Sequence, residues 1–420
     1  MITVLVIGFV IFVVMGAPVF VALGLSSLAA LFWEGIPLAL VVQKMVASID
    51  SFVLLAIPFF LLTGHLMDRT GIAHDIVGFA ESVVGRFRGG IGHANVAQNV
   101  LMGGMTGSAV ADTASSGTAM IPAMVKRGYS PAFSAAITAC SSIIAVVLPP
   151  SVPMIVFCVV TGASVTKLFI AGIIPGLLVA LGMMIAIAVV AGRENLPLGR
   201  KSSGREIWWS FVKSLPAMTL PVVILGSIRF GIATPTEASV VAAIYSWFLG
   251  RYWYKNLSYR DLKPIALLSA STTGVVMMMI AAASLYGLIL TRAQVPQEIA
   301  AAVTSLTQDP YLVLLLILLI YLAMGAILDL TANIIILVPI LYPVTVALGI
   351  DPIQFGIVTI IGLAVGLVTP PVGICLFVAA SIARVPVMSV AWASLPYIIS
   401  TLLLVILMIF FPSISTWLPG

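Results

Sequence analysis

The chain has 420 residues, 61% of them hydrophobic and 8% charged, with a formal net charge of +5; a soluble domain carries roughly a quarter charged residues. That excludes a water-soluble globular protein, and the long apolar runs lack the alternation of a spanning β-barrel. A basic balance that would suggest nucleic acid in a soluble chain here reads as topology information, so no nucleic-acid partner is expected.

What remains is an all-α polytopic membrane protein. At about 20 residues per crossing there is room for roughly ten to twelve membrane segments. The opening run "MITVLVIGFVIFVV" has no basic flank and no small-residue cleavage site, so it reads as a retained helix rather than a signal peptide. Crossings are expected near 3–33 and 52–68, making residues 1–68 an N-terminal scaffold unit. Residues 69–90 carry Ile72, Ile76, Phe79, Val83 and Phe87 on one helical stripe opposite their charges. That suits an arm helix lying in the interface, and an ordinary cytoplasmic loop helix serves equally. Residues 91–191 read as a transport unit: a re-entrant hairpin at 91–125, a broken helix at 132–160 and a helix at 168–191. The basic stretch 192–210 is a cytoplasmic loop. Crossings at 211–231, 236–253 and 265–290 form a second scaffold unit, 211–290. A second arm, 291–310, with Ile299, Val303 and Leu306 on one stripe, leads to a second transport unit at 311–412. This comprises a hairpin at 312–345, a broken helix at 353–382 and a helix at 390–412. Each hairpin arm of about 16 residues would reach only about 24 Å as helix, short of a roughly 30 Å hydrocarbon core.

The two transport units coincide when the chain is slid against itself by 221 residues. Gly104 falls on Gly325, Pro122 on Pro343, Gly128 on Gly349, Pro131 on Pro352, Thr138 on Thr359, Val147 on Val368, Pro149 and Pro150 on Pro370 and Pro371, and Pro175 on Pro396. Nine landmarks in one ungapped register indicate an internal repeat. Lys and Arg concentrate in cytoplasmic loops. With these crossings only Lys44, Lys167, Arg229 and Arg292 of the 19 basic residues fall on the external face. The N-terminus is then cytoplasmic and the C-terminus external, and segment 132–160 runs opposite to its copy at 353–382. The repeat is inverted.

Under this scheme Asp112 and Asp329 are the acids at membrane depth, each costing roughly 2.5 to 3.5 kcal/mol at a helix centre, so each needs a partner. Ser108 and Asp112 align with Asp329 and Asn333; in both copies the oxygen-bearing pair is four residues apart, on one helical face. The other half of each copy supplies a double proline inside an apolar run, "VLPPSVPM" at 147–154 and "LVTPPVGI" at 367–374. Such a pair removes amide donors and frees carbonyls. Carbonyls, hydroxyls and one carboxylate make a cage for a hard monovalent cation, while half-helix N-termini can face an anion. With no Lys or Arg at membrane depth, an anionic substrate would be neutralised by bound cations and backbone dipoles. Cys140, Cys158 and Cys375 stand singly, as do His65, His74 and His93, so no transition metal and no organic cofactor is expected.

These residues resemble a known family. "GMTGSAVADTASSGTAMIPAMVKRGYSPAFSAAITACSS", "PPSVPM", "KLFIAGIIPG", "ATPTEASVVAA", "GAILDLTANIIILVPILYPV" and "GLVTPPVGICLFV", in that order, look like the large, DctM- or SiaM-type membrane subunit of tripartite ATP-independent periplasmic (TRAP) transporters. The resemblance implies an inverted-repeat, elevator-type fold in the bacterial or archaeal cytoplasmic membrane. It also implies sodium-driven import of a small organic acid: a C4-dicarboxylate, sialic acid, another sugar acid or a small zwitterion. The partners implied are a small four-helix membrane subunit of the DctQ type and a periplasmic substrate-binding protein of the DctP type. Carried onto this sequence, one sodium site draws on Gly107, Ser108 and Asp112 with carbonyls near Pro149 and Ser151. The second draws on Asp329 and Asn333 with Gly366, Thr369 and Gly373. Ser115 and Ser116, in a run that is more alanine-rich elsewhere in the family, and Thr331 are the implied substrate contacts. Two other readings stand beside this one: a stand-alone sodium-coupled dicarboxylate carrier, and an intramembrane aspartyl protease using Asp112 and Asp329. The contexts "VADTA" and "LDLTA" lack the Gly-x-Gly-Asp surroundings such a protease would show.

Overall fold

The computed structural model describes residues 1–70, 72–193, 196 and 202–419, with the backbone alone at 72–74 and 104–106. Part of the expected 192–210 loop therefore lies outside the described residues, as do the side chains at 72–74, Ile72 and His74 among them, and at 104–106. Among the described residues the structure is helical, without strands. In chain order the helices are α1 (Ile2–Val14), α2 (Val19–Trp33), α3 (Leu38–Ile49), α4 (Ala56–Thr70), α5 (Ile72–Val84), α6 (Gly90–Thr106) and α7 (Ala109–Lys126). Then come α8 (Pro131–Ser141), α9 (Ile144–Val147), α10 (Val152–Thr161), α11 (Val165–Arg193), α12 (Gly204–Arg229), α13 (Pro235–Phe248) and α14 (Tyr259–Arg292). The last are α15 (Val295–Leu306), α16 (Pro310–Gly325), α17 (Leu330–Ala347), α18 (Pro352–Gly366), α19 (Ile374–Ala383), α20 (Val387–Phe410) and α21 (Ser413–Thr416).

Three sequence expectations need correction. The run 3–33 is not one crossing but two helices packed against each other. Gly16, at φ +79°, ends α1 with amide bonds from Gly16 to Val13 O and from Ala17 to Phe12 O, both 2.9 Å, and Pro18 then starts α2. The open end of the pair is closed by the N-terminal ammonium, 3.5 Å from Glu34 Oε1. Secondly, α3 occupies a stretch given no element. Thirdly, the length argument for re-entrant hairpins does not hold for α17, whose 18 residues are long and apolar enough to cross a membrane. Among the described residues the other helices with that property are Phe52–Thr70, α11, α12, α14 and α20; the bent pair Pro131–Val147 and Val152–Thr161 makes a seventh span if counted as one. The stripe on α5 also divides: Ile76 is buried and Phe79 packs on Phe211 of α12, while Val83 and Phe87 are exposed.

The helix boundaries repeat at the same offset as the sequence. Adding 221 to α7 gives 330–347, the bounds of α17, and adding it to the start of α8 gives 352, the start of α18. The cap chemistry repeats as well. Gly128 and Gly349 follow the two helices at φ +89° and +69°. Ser130 and Asp351 then accept amides as N-caps, and Pro131 and Pro352 occupy the first turn, where a missing N–H costs nothing. Packing is reciprocal: α10 lies on α17 and α18, and α19 lies on α7 and α8. Phe157 of α10 meets Phe355 of α18 at 5.8 Å between ring centroids, tying one half to the other. At the centre, α18 is buried from Ile353 to Gly366 and α8 from Phe133 to Ser141. Helices α1 to α4, α13 and α14 pack mainly on one another, and this group meets the central one chiefly where α14 touches α17 and α4 touches α6.

Candidate functional site: two helix tips, two breaks and the cavity between them

Each tip is built by a helix end, a short turn and an N-cap. In the first half α6 ends at Gly107, at φ +59°, a conformation glycine adopts without strain. Ser108 then caps α7, its Oγ accepting from Ala111 N at 3.4 Å. In the second half α16 ends at Gly325, and Asp329 caps α17, its carboxylate accepting from Thr331 N at 3.0 Å. The acceptor is a hydroxyl at one tip and a carboxylate at the other, in equivalent positions.

Each break follows from its prolines. Pro150 has no N–H to give Val146 O, and Ser151 Oγ donates to that carbonyl instead, at 2.7 Å. Pro371 deprives the equivalent carbonyl, Leu367 O, which accepts from Cys375 N at 3.0 Å. The expectation that the double prolines leave these carbonyls free is thus corrected: both have found substitutes. The first break, Leu148–Ser151, bends the helix by 45° and is buried, whereas Pro370, Pro371 and Val372 of the second are exposed.

Tip and break of the same half touch. A Cβ on Gly107 would stand 3.3 Å from Pro150 O and 3.4 Å from Val152 N. Val372 N donates to Ala326 O at 3.1 Å, and a Cβ on Gly366 would stand 2.3 Å from Gly325 C. So the structure brings Gly107 and Ser108 to the loop containing Pro149 and Ser151. It brings the loop containing Gly366, Thr369 and Gly373 to the second tip. The Thr369 hydroxyl donates to Val365 O at 2.7 Å, and Gly373, at φ +52°, starts α19.

Asp112 lies one turn inside α7 and is 1% exposed. Its partner is Asn99 of α6, which sequence reasoning missed. Of the two amide orientations at Asn99, only one sets a donor against an acceptor-only carboxylate. In that orientation Nδ2 donates to Asp112 Oδ2 at 3.0 Å, while Oδ1 accepts from Ser141 Oγ at 2.6 Å and Ser142 N at 3.3 Å. The Asp112 backbone carbonyl accepts from Ser116 Oγ at 2.7 Å. Asn333, the counterpart of Asp112, donates from Nδ2 to Met324 O (3.1 Å) and Leu328 O (3.0 Å), pinning the second tip. Its Oδ1 is buried without a hydrogen-bond partner among the described residues.

Between the tips lies a cavity of about 350 Å³. Its lining pairs at the repeat offset: Ser108 with Asp329, Ala109 with Leu330, Val110 with Thr331, and Val146 with Leu367. The N-termini of α7 and α17, with their partial positive charge, therefore converge on one space. The remaining wall comes from Gly107, from α14, from the start of α10 and from Leu61. Among the described residues no lysine, arginine or histidine lines it, and Asp329 is its one charged residue. Thr331, an implied substrate contact, is in the wall. Ser115 and Ser116 are not: the Ser115 hydroxyl donates to Asp68 Oδ1 at 3.3 Å, and that of Ser116 to its own helix. Asp68, near the end of α4, is a third acid in this region, after Asp112 and Asp329, and one the sequence did not single out.

The family description "Tripartite ATP-independent periplasmic transporter, DctM component" matches residues 6–414. The chain belongs to the DctM family. This DctM-family chain is 38% identical over 400 residues to the C4-dicarboxylate TRAP transporter large permease protein DctM of Pseudomonas aeruginosa, covering 95% of this chain and 94% of that one. It is 37% identical over 377 residues to the sialic acid TRAP transporter large permease protein SiaM of Vibrio cholerae, covering 90% and 88%. Among solved structures, the YdaH transporter of Alcanivorax borkumensis superposes with a TM-score of 0.64 at 15% identity, covering 91% of this chain and 90% of that one. The likeness to YdaH concerns the fold. As a DctM component the chain is the large permease of a multi-pass membrane transporter, and such a permease is not an enzyme class. Asp112 is not among the residues that line the space faced by Asp329.

Proposed function

We propose that the chain is the permease of a sodium-coupled, binding-protein-dependent importer, and that a small organic acid is seated in the cavity between the two tips. The observation that carries this is the paired lining, in which one space is faced by equivalent residues of both halves and by two helix N-termini. An anion there gains two helix ends but meets the Asp329 carboxylate and no basic side chain, so a co-transported cation supplies the missing charge.

The cation reading is supported by donor chemistry. The buried Asn333 Oδ1, lacking a partner, fits a hard cation, and it lies beside the tip that Gly366, Thr369 and Gly373 adjoin. Gly107, Ser108 and the Pro149–Ser151 loop, with Asp112 one turn inside, offer the corresponding oxygens in the first half. All are oxygen ligands, the type that Na⁺ and other hard ions prefer. The matching helix boundaries, caps and reciprocal packing support a repeat, which we read as inverted and with re-entrant hairpins. The division between the central helices and the group α1 to α4, α13 and α14 fits an elevator movement of one against the other, and the placement of the basic residues favours a cytoplasmic N-terminus and a periplasmic C-terminus. The tripartite system would be completed by a four-helix DctQ-type subunit and a DctP-type periplasmic protein. Exposed apolar side chains on α12, such as Val222 at 69%, offer a surface for lipid or for that subunit.

The test is uptake into liposomes holding the chain with both partners under an inward sodium gradient, with succinate and N-acetylneuraminate as probes. Gradient-dependent accumulation of an acid is the expected result. Uptake indifferent to sodium for every acid tried would overturn the coupling.

A further inference from the structure

A second cleft, of about 420 Å³, lies along the same helices as the cavity between the tips. The central cavity uses Thr272 to Met279 of α14, Val152 and Pro153 of α10, and Leu330 and Thr331 of α17. The cleft continues with Ile280 to Thr291, Val156 to Val160, and Ile335 and Pro339 on those three helices. Together the two spaces follow α14 from residue 272 to 291, about 28 Å at 1.5 Å per residue, nearly a bilayer core.

The walls of the cleft differ in chemistry. The faces of α10 and α17 are apolar. On α3, Lys44 and Ser48 are four residues apart and share one helical face, opposite Ser284 and Thr291, seven apart on α14. The three hydroxyls donate to their own helices, to Met45 O, Ala281 O and Gly287 O, and keep lone pairs with which to accept. Among the described residues Lys44 is the one charged residue in the lining and has no ion-pair partner within 4.0 Å, and none that lines the central cavity is basic. A lysine ammonium over apolar surface, in series with a cavity that carries only an acid, is the arrangement that draws an anion along the seam.

We propose that this cleft is an anion-attracting station on the route of the organic acid, with Lys44 its counter-charge. The passage role rests on the organic-acid reading above; the attraction of anions does not. Under the proposed orientation the cleft is on the external side, where an incoming acid would first leave the aqueous phase.

Two measurements on the chain assembled with its partners test this. In the first, Ser284→Cys is reacted with an anionic and a cationic methanethiosulfonate of similar size; the native Cys140, Cys158 and Cys375 are buried, and the unsubstituted chain gives the background. The anionic reagent should react about tenfold faster at low salt, with the preference shrinking as ionic strength rises. It should vanish on adding Lys44→Gln and persist with Lys44→Arg. No charge preference, as in a cleft filled by a lipid chain, or one that survives Lys44→Gln, overturns the proposal. In the second, Lys44→Gln should raise the half-saturating acid concentration for uptake about tenfold at low salt with little change in maximal rate, and Lys44→Arg should restore it. An unchanged half-saturation removes the cleft from the route. Should the unsubstituted system take up no acid, the cargo reading fails, and the thiol measurement alone decides whether the cleft attracts anions.

Discussion

Replacing Gly366 by alanine adds one methyl group at the tightest contact between a tip and a break. The new Cβ would stand 2.3 Å from Gly325 C, 2.4 Å from Gly325 Cα and 2.8 Å from Ala326 N. All three are backbone atoms, so no rotamer change relieves the overlap. Carbon–carbon contact is comfortable at about 3.5 to 4.0 Å, and the second tip must therefore retreat from the break by roughly 1 Å or more. The Val372 N to Ala326 O bond, 3.1 Å long, lies beside the contact and would stretch beyond hydrogen-bonding range with the same displacement. Overpacking of this kind costs about 1 to 3 kcal/mol. Loss of one backbone bond adds about 1 kcal/mol. If the oxygens of this junction hold a co-transported cation, the half-saturating sodium concentration should rise at least about tenfold, since 1.4 kcal/mol is one decade. The assay pairs thermal unfolding of the purified variant with sodium-dependent uptake. Gly274→Ala in α14 is the control, because nothing lies within 4 Å of its added Cβ, and it should be neutral or slightly stabilising. A Gly366→Ala chain with unchanged stability and sodium response would refute the close approach on which this reasoning stands.

Other outcomes follow from the same geometry. Asn333→Ala removes two donations to tip carbonyls as well as the unpartnered Oδ1, and should cost about 1 to 3 kcal/mol of stability by thermal melt while weakening sodium activation. Asp329→Asn keeps an N-cap acceptor on α17 yet removes the only charge that the described residues place in the cavity wall. Acid binding measured by calorimetry should then depend less on sodium, and an identical sodium dependence would contradict the role given to that carboxylate. Thr331→Val should raise the half-saturating acid concentration about five- to tenfold, whereas Ser115→Ala, whose hydroxyl faces Asp68 outside the cavity, should leave it within about twofold. Equal effects of the two in uptake assays would mean that the cavity has been placed wrongly.

Much of the site was legible because the backbone demands particular residues there. A break calls for proline at 149–150 and 370–371, and an N-cap calls for Ser108 or Asp329, marks that the 221-residue comparison doubles; a left-handed turn calls for glycine at Gly107, whose offset partner is Leu328. What was not legible has no such mark. The turn between α1 and α2 sits within an unbroken apolar run, where "MGAPV" was outweighed by hydrophobicity on either side. Asn99 occupies the opposite arm from Asp112, and its offset partner is Ile320, so no repeat points to it. Ser115 and Ser116 have the right composition for a ligand site, but in a helix Ser116 closes onto the carbonyl four residues back and Ser115 turns to α4.

The same comparison shows why two similar halves need not do similar work. At the capping position the first half carries a hydroxyl and the second a carboxylate; one turn further in, the carboxylate belongs to the first half and the amide to the second. The exchange conserves one acid per half while moving its charge relative to the shared cavity. Asp329 looks into that space from a helix end whose partial positive charge it offsets, and Asp112 is withdrawn behind Ser108 and held by Asn99. The two helix ends are therefore unequal, the Ser108 end retaining its positive character and the Asp329 end losing much of it. An anionic cargo in the cavity should lie nearer the first tip, and a cation accompanying it nearer the second, where Asp329 and the unpartnered Asn333 oxygen are one turn apart. Symmetry builds the space, and the swapped acids give it direction.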